Sequence, residues 1–223
     1  MNSTAKNIRI LRQQIPNSVR IIAVSKSKPV SAIMEAYNEG QRLFGENRVQ
    51  ELLQKKDQLP ADIEWHLIGH LQTNKVRQLV PFVSMIQSVD SRRLLRVIND
   101  EASKINRIVD CLIQIYIADE KTKYGFTMEE AVEMLGSDEF RSMQLVRICG
   151  VMGMATFTDD TEQIGREFRF LADCYKQLKS RFFANDHSFR EISMGMSGDY
   201  KIAIGEGSTM VRIGSLIFGS RNR

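Results

Sequence analysis

Cysteine is scarce in this chain of 223 residues, which contains only Cys111, Cys149 and Cys174. The number is odd, and no two cysteines stand in a CxxC spacing, which argues against a disulfide framework and against a zinc knuckle. Two of the three lie in apolar runs, a position typical of core residues. We therefore expect free thiols and a protein of the reducing cytoplasm.

Long apolar segments are also absent. No run approaches the ~18 apolar residues that a membrane span needs, and the first residues, MNSTAKNIRILRQQI, predict an amphipathic helix rather than a secretion signal. The 31 basic residues barely outnumber the 27 acidic ones, and they form no stripe interleaved with aromatics. The sequence thus predicts no membrane or nucleic-acid partner, while the net charge of +4 leaves room for an anionic ligand.

Length and composition indicate one folded domain over residues 1–223. Hydrophobic residues make up 43% of the chain and charged residues 26%, close to the averages of globular proteins. A chain of this size can bury one sizeable core, and α/β barrels of this length are usually single units.

Apolar runs rich in β-formers alternate with segments of helical period, as expected when crossover helices join parallel strands. The runs are near-continuously apolar, which indicates burial on both faces. An open doubly wound sheet is the runner-up, but no GxGxxG follows the first strand. We predict a single-domain (β/α)8 TIM barrel with an additional N-terminal helix. Its strands are Val19–Ser25, Arg42–Gly45, Ile63–Ile68, Met85–Val89, Val109–Ile117, Gln144–Met152, Glu191–Met194 and Met210–Ile213.

Lys26 directly follows the first predicted strand, VRIIAVS. Ligand-binding residues of such barrels gather where the strands end at their carboxyl side, so the Lys26 amine is expected at the barrel mouth. Low-dielectric walls there would lower its pKa and favour the neutral amine that forms a Schiff base. The alternative is an ordinary lysine on the rim.

An anion site is predicted at the end of the chain, in GSTMVRIGSLIFG. Gly214 and Ser215 follow the last strand, where barrels commonly bind phosphate, and Ser197 after the seventh strand is placed to add a hydroxyl. Arg212 lies within the last strand. Its alternative role is an ion pair with a carboxylate such as Glu206.

Asn47 and His70 also follow predicted strands. Asn47 precedes a helical run and is equally suited to capping that helix or to contacting a ligand. His70 could act as a general acid or base, but without an identified carboxylate partner a structural role is the simpler interpretation. The histidines have no neighbouring Cys or Asp at ligand spacing, so no metal site is predicted, and no residue is assigned a catalytic role.

Seven motifs stand in order along nearly the whole chain: AVSKSKP, FGENRVQE, WHLIGHLQTNK, LIQIYIADEKTKYG, GVMGMA, SMGMSGDYKIAI and GSTMVRIGSLIFG. Together they closely resemble the pyridoxal phosphate homeostasis protein family (YggS/PROSC type). The resemblance implies a barrel similar to the N-terminal domain of alanine racemases, with pyridoxal 5′-phosphate (PLP) held by Lys26 as a Schiff base.

The same resemblance implies roles for the remaining candidates. Arg212 would face the pyridine nitrogen and keep it unprotonated, which weakens the ring as an electron sink. Asn47 would lie near the ring. The phosphate would be held by Ser197, Gly214 and Ser215.

Three functions remain open on the sequence. The first, which the resemblance favours, is intracellular PLP homeostasis: a monomer that carries or regulates PLP without committed catalysis and hands it to PLP-dependent apo-enzymes. The second is a PLP-dependent amino-acid racemase or lyase of narrow specificity. The chain ends at Arg223, just past the last strand, so the second domain that completes an alanine racemase site is not expected. The third is an aldolase-like barrel that uses Lys26 without a cofactor.

Overall fold

The computed structural model describes residues 3–119 and 124–219, so residues 120–123 of the motif LIQIYIADEKTKYG lie outside the described part. Eight parallel strands form a closed barrel in which each strand pairs with its neighbours in sequence and β1 pairs with β8. The predicted fold class is confirmed. The strands are β1 (Arg20–Val24), β2 (Leu43–Glu46), β3 (Glu64–Leu67), β4 (Met85–Val89), β5 (Val109–Gln114), β6 (Val146–Met152), β7 (Glu191–Met196) and β8 (Met210–Ile213).

Helices surround the barrel, and α1, capped by the Ser3 side chain, is the predicted N-terminal helix. The helices are α1 (Thr4–Gln14), α2 (Val30–Asn38), α3 (Val49–Lys56), α4 (Val76–Leu79), α5 (Arg92–Lys104), α6 (Met128–Gly136), α7 (Asp138–Ser142), α8 (Thr161–Phe182), α9 (Tyr200–Gly205) and α10 (Ser215–Phe218). A 3-10 turn, Thr73–Lys75, precedes α4. Within the described part of the chain, no helix is both long enough and apolar enough to cross a membrane.

Four strands are shorter than the sequence predicts: the first and third lose one residue at each end, and the fifth and sixth differ more at one end. The fifth ends at Gln114 rather than Ile117. The Ile115 N–H still donates to the Met152 carbonyl of β6, but the Tyr116 N–H donates to the Phe126 carbonyl and the Phe126 N–H to that of Gln114. The sixth begins at Val146 because the Leu145 N–H donates to the Asn99 side chain. Hydropathy could not reveal either pairing, since all these residues are apolar or neutral.

Two apolar clusters form the core. The larger lies between strands and helices and includes Phe44, Leu67 and Phe168. The smaller fills the barrel interior and consists of Ile22, Met85, Leu112, Cys149, Met152 and Met210. All three cysteines are free and buried, and burial raises their thiol pKa values, so these thiols are expected to be unreactive.

Candidate functional site

A cavity of about 580 Å³ opens at the carboxyl ends of the strands. All six residues predicted from the sequence to bind the ligand line it. They are Lys26, Asn47, Ser197, Arg212, Gly214 and Ser215. They come from the ends of β1, β2, β7 and β8, so the closure of the barrel through the β1–β8 pair brings the two ends of the chain together.

Lys26 lies two residues beyond the end of β1 and is half-buried. Side chains alternate between the two faces of a strand, and Ile22 belongs to the interior cluster. Val24 and Lys26 follow on the same face, and both line the cavity. The alternation of side chains along β1 thus explains why Lys26 lines the cavity.

Arg212 is buried on β8, with 4% of its surface exposed. Its guanidinium donates to the Ser193 carbonyl (2.8 Å), to Ser193 Oγ (2.7 Å) and to the Gly153 carbonyl (2.8 Å). Burial lowers the Arg212 pKa to about 10, partly opposed by Asp199, so it remains charged at neutral pH. The ion pair with Glu206 considered from the sequence is wrong, since Glu206 pairs with Arg169 on the outer surface.

A chain of hydrogen bonds continues from Arg212 into the barrel interior. Because Ser193 Oγ accepts from Arg212, its own hydrogen goes to Gln87 Oε1, at 2.6 Å. The Gln87 amide nitrogen lies 2.8 Å from His66 Nδ1, which therefore accepts, and the His66 proton is on Nε2. Burial lowers the His66 pKa to about 3, so the ring is neutral at physiological pH.

The buried His66 is expected to make stability pH-dependent. Its ordinary pKa is 6.5 and its folded pKa about 3, so between these values the unfolded chain binds a proton that the folded chain does not. Stability from this group is complete above pH 6.5 and is lost as the pH falls towards 3. His66→Asn keeps an acceptor for Gln87 but cannot titrate. Its free energy of unfolding, measured by urea denaturation across this window, should therefore fall less steeply with acid than that of the wild type; parallel curves would contradict the assignment.

Ser197, after β7, and the turn Gly214–Ser215, after β8, line one side of the cavity. The Gly214 N–H donates to Ser197 Oγ at 3.3 Å, which joins the ends of β7 and β8. Lys28 also lines the cavity, and its ammonium donates to the carbonyl oxygens of Phe218 and Gly219, each at 3.0 Å. Hydroxyl groups and a cationic side chain around a glycine turn suit an anionic ligand.

Asn47 does not cap α3, whose N-cap residue is Arg48. The capping interpretation of Asn47 is therefore wrong. Its Oδ1 atom is buried and has no hydrogen-bond partner among the described residues, although its residue lines the cavity. A buried polar atom without a partner is costly, and a ligand that donates a hydrogen bond would remove this cost.

The cavity also contains residues that the sequence did not single out. The segment after β6 contributes Met154, Thr156, Phe157 and Thr158, and the segment after β7 contributes Asp199. Phe157 is 98% exposed at the rim. The rule that barrel sites form after strands could have identified these residues from the positions of β6 and β7.

His70 lies outside this cavity. Its Nδ1 atom is 2.7 Å from Asp90 Oδ2, and its ring stacks on Tyr124 with centroids 4.0 Å apart. Asp90 could not be recognised from the sequence as the partner of His70, because the pair joins the ends of two different strands, β3 and β4. Within residues 3–119 and 124–219, no group of three or more His, Cys, Asp or Glu side chains could hold a metal ion.

A second groove of about 700 Å³ runs between α1, α9 and α10. It shares Ser197, Gly198, Asp199, Ser215 and Gly219 with the cavity but contains none of Lys26, Asn47 and Arg212. The smaller cavity is therefore the candidate functional site, since it alone gathers the amine, the buried guanidinium and the unsatisfied amide.

A barrel with a lysine after its first strand, and with a glycine turn suited to an anionic ligand after its last strand, defines a class of alanine racemase-like barrel proteins. The family model for the alanine racemase N-terminal domain matches residues 1–222. An alanine racemase of Clostridium difficile has the same fold, with a TM-score of 0.76 at 12% identity over 99% of this chain and 57% of its own. At that identity the similarity concerns the fold alone.

Closer relatives narrow the assignment. A pyridoxal phosphate homeostasis protein of Aquifex aeolicus is 37% identical over 92% of this chain and 88% of its own length. PipY of Synechococcus elongatus, solved with PLP bound, superposes with a TM-score of 0.87 at 35% identity, covering 97% of this chain and 100% of PipY. The chain belongs to the pyridoxal phosphate homeostasis protein family, which confirms the resemblance seen in its motifs.

Proposed function

We propose that this protein binds PLP in the cavity at the barrel mouth and holds it covalently on Lys26, as part of intracellular PLP homeostasis. The observation that carries the proposal is that Lys26, Arg212, Ser197 and the turn at Gly214 all line one cavity of about 580 Å³. The structure of PipY with PLP bound supports the choice of ligand.

The residues of the cavity fit the three functional parts of PLP. Arg212 suits the pyridine nitrogen as a charged donor, which would leave that nitrogen unprotonated. The unsatisfied Asn47 Oδ1 suits a donor on the ring, such as its hydroxyl. The hydroxyls of Ser197 and Ser215 and the Gly214 turn suit the phosphate.

PLP would supply an aldehyde to the Lys26 amine. The amine nitrogen and the aldehyde carbon form a C=N bond, and the aldehyde oxygen leaves as one molecule of water. Release is the reverse: water restores the aldehyde and the amine, or an acceptor amine takes the place of Lys26. No oxidant or reductant is needed.

We further propose that the protein acts as a cytoplasmic monomer and yields PLP to PLP-dependent apo-enzymes. The free, buried cysteines are compatible with a reducing compartment. His70 is the strongest acid–base candidate from the sequence, yet it does not line the cavity, and this favours a carrier over a racemase or lyase.

Replacing Lys26 tests the proposal. After equilibration with PLP and removal of the excess, the wild type should show a Schiff-base absorbance band that borohydride reduces, whereas Lys26→Ala should lack it because the amine is gone. Lys176→Ala, at an exposed lysine on α8, is the matched control and should behave as wild type. The absence of a band from every protein would favour a cofactor-free, aldolase-like barrel, and sustained Lys26-dependent turnover of amino acids would favour the enzyme.

A further inference from the structure

Four polar side chains pack together behind the β1 and β2 strands, on the side away from the cavity. We call Ser25, Glu46, Glu51 and Lys55 the Lys55 cluster. Ser25, Glu46 and Lys55 are buried, and Glu51 is partly exposed. Glu46 Oε1 accepts from Ser25 Oγ at 2.6 Å and from the Lys55 ammonium at 2.8 Å.

Every hydrogen of the Lys55 ammonium has a partner. Besides Glu46, it donates to Glu51 Oε1 at 2.6 Å and to the Ser25 backbone carbonyl at 2.8 Å. An ammonium has three donors, so Lys55 is fully satisfied. Burial raises the pKa of Glu46, an effect that the hydrogen bonds from Lys55 and Ser25 oppose.

The cluster contacts the backbone on both sides of Lys26. Lys55 binds the carbonyl of the preceding residue, Ser25. Glu51 Oε1 accepts from the N–H of the following residue, Ser27. Because Glu51 and Lys55 are four residues apart on α3, a single helical turn holds both peptide groups in place.

The backbone at Ser27 needs such support. Ser27 has a φ of +60°, in the left-handed region that serine rarely adopts. Conformations of this kind persist only where surrounding contacts hold them, and they are often found at functional sites. Two hydrogen bonds hold the backbone there: the Ser27 N–H donates to Glu51, and the Lys28 N–H donates to the Ser25 carbonyl at 3.0 Å and closes the turn.

We propose that Lys55 and Glu51 are positioning residues for Lys26: they fix the peptide groups on either side of it, so that its amine is directed to the PLP aldehyde. This inference rests on the proposed function of Lys26. Neither residue lines the cavity, so their effect is transmitted through the backbone. Loss of the cluster lets the loop leave the left-handed conformation, and the amine then spends less time in the reactive orientation.

The test compares neighbouring lysines of α3. Lys55→Met removes the contact with Ser25, whereas Lys56→Met is the matched control, because the Lys56 ammonium pairs with Asp57 and not with the loop. With PLP added to apo-protein, the rate of Schiff-base formation should fall by roughly tenfold or more in Lys55→Met and stay at the wild-type value in Lys56→Met. Hydrogen exchange of the Ser27 amide in apo-protein should accelerate in Lys55→Met and in Glu51→Ala.

A further variant separates positioning from general destabilisation. Glycine adopts the left-handed conformation without strain, so in a Ser27→Gly background the loss of Lys55 should slow Schiff-base formation much less. If Lys55→Met does not fold, Glu46→Gln/Lys55→Met avoids leaving a buried charge unpaired and replaces it in every assay.

The outcomes are distinct for the two proposals. A wild type that forms no Schiff base overturns the proposed function, while the exchange of the Ser27 amide still tests the role of the cluster. A wild type and a folded Lys55→Met protein that react at the same rate, with equal amide exchange, overturn the positioning role alone. The positioning role is also overturned if Lys55→Met slows Schiff-base formation equally in the wild-type and the Ser27→Gly backgrounds.

Discussion

Gly69→Ala is expected to destabilise the protein and to weaken PLP binding together. A Cβ at position 69 would lie 2.4 Å from the Asn47 carbonyl oxygen and 2.8 Å from its Cα. Both atoms belong to the backbone, so no side-chain rotation can relieve the clash. Overpacking of this kind lowers the free energy of unfolding by about 1–3 kcal/mol. The clash can be relieved only if the peptide of Asn47 moves, and Asn47 lines the cavity.

Gly205→Ala is the matched control for this change. Position 205 ends α9, and a Cβ there meets no atom within 4 Å. Alanine is favoured over glycine in helices, so stability should stay equal or rise slightly. Urea denaturation and PLP titration of the two variants check the prediction. Unchanged PLP affinity in a destabilised Gly69→Ala protein would show that the position of Asn47 does not matter for binding.

Arg212→Met is expected to reduce PLP affinity by roughly tenfold to a hundredfold, since a hydrogen bond to a charged group contributes about 1.5–3 kcal/mol. The guanidinium also donates hydrogen bonds to the Ser193 and Gly153 carbonyls, and a methionine at this position cannot replace them. Arg212→Lys restores the charge but not the planar fork, so it should recover only part of the affinity.

The exposed Arg169, which pairs with Glu206, provides the control for Arg212. Arg169→Met should bind PLP as the wild type does. Equilibrium titration by absorbance measures the affinities, and circular dichroism shows whether each variant is folded. A folded Arg212→Met protein with wild-type affinity would remove Arg212 from the proposed site.

Much of the site could be predicted from the sequence because barrels place ligand-binding groups where strands end. Lys26 follows an apolar strand directly, and the glycine turn at Gly214 follows another, so each is marked by its neighbours in the chain. Local sequence also revealed the amphipathic α1. These features depend on residues a few positions apart, which periodicity and turn composition can detect.

Contacts between distant segments could not be predicted in this way. The series of hydrogen bonds from Arg212 through Ser193 and Gln87 to His66 joins β8, β7, β4 and β3. No local sequence pattern marks these residues. The Asp90 partner of His70 was missed for the same reason. Asn47 illustrates the opposite error, because its position before α3 suggested a cap, whereas the N-cap position belongs to Arg48, whose side chain makes no capping hydrogen bond.

Mass spectrometry of the borohydride-reduced complex with PLP tests the central claim most directly. After reduction and proteolysis, the peptide that contains Lys26 should carry the mass of one reduced PLP, and peptides with other lysines should not. This result would establish Lys26 as the attachment site. Labelling elsewhere with an unmodified Lys26 peptide, or labelling that persists in Lys26→Ala at the wild-type level, would contradict the account.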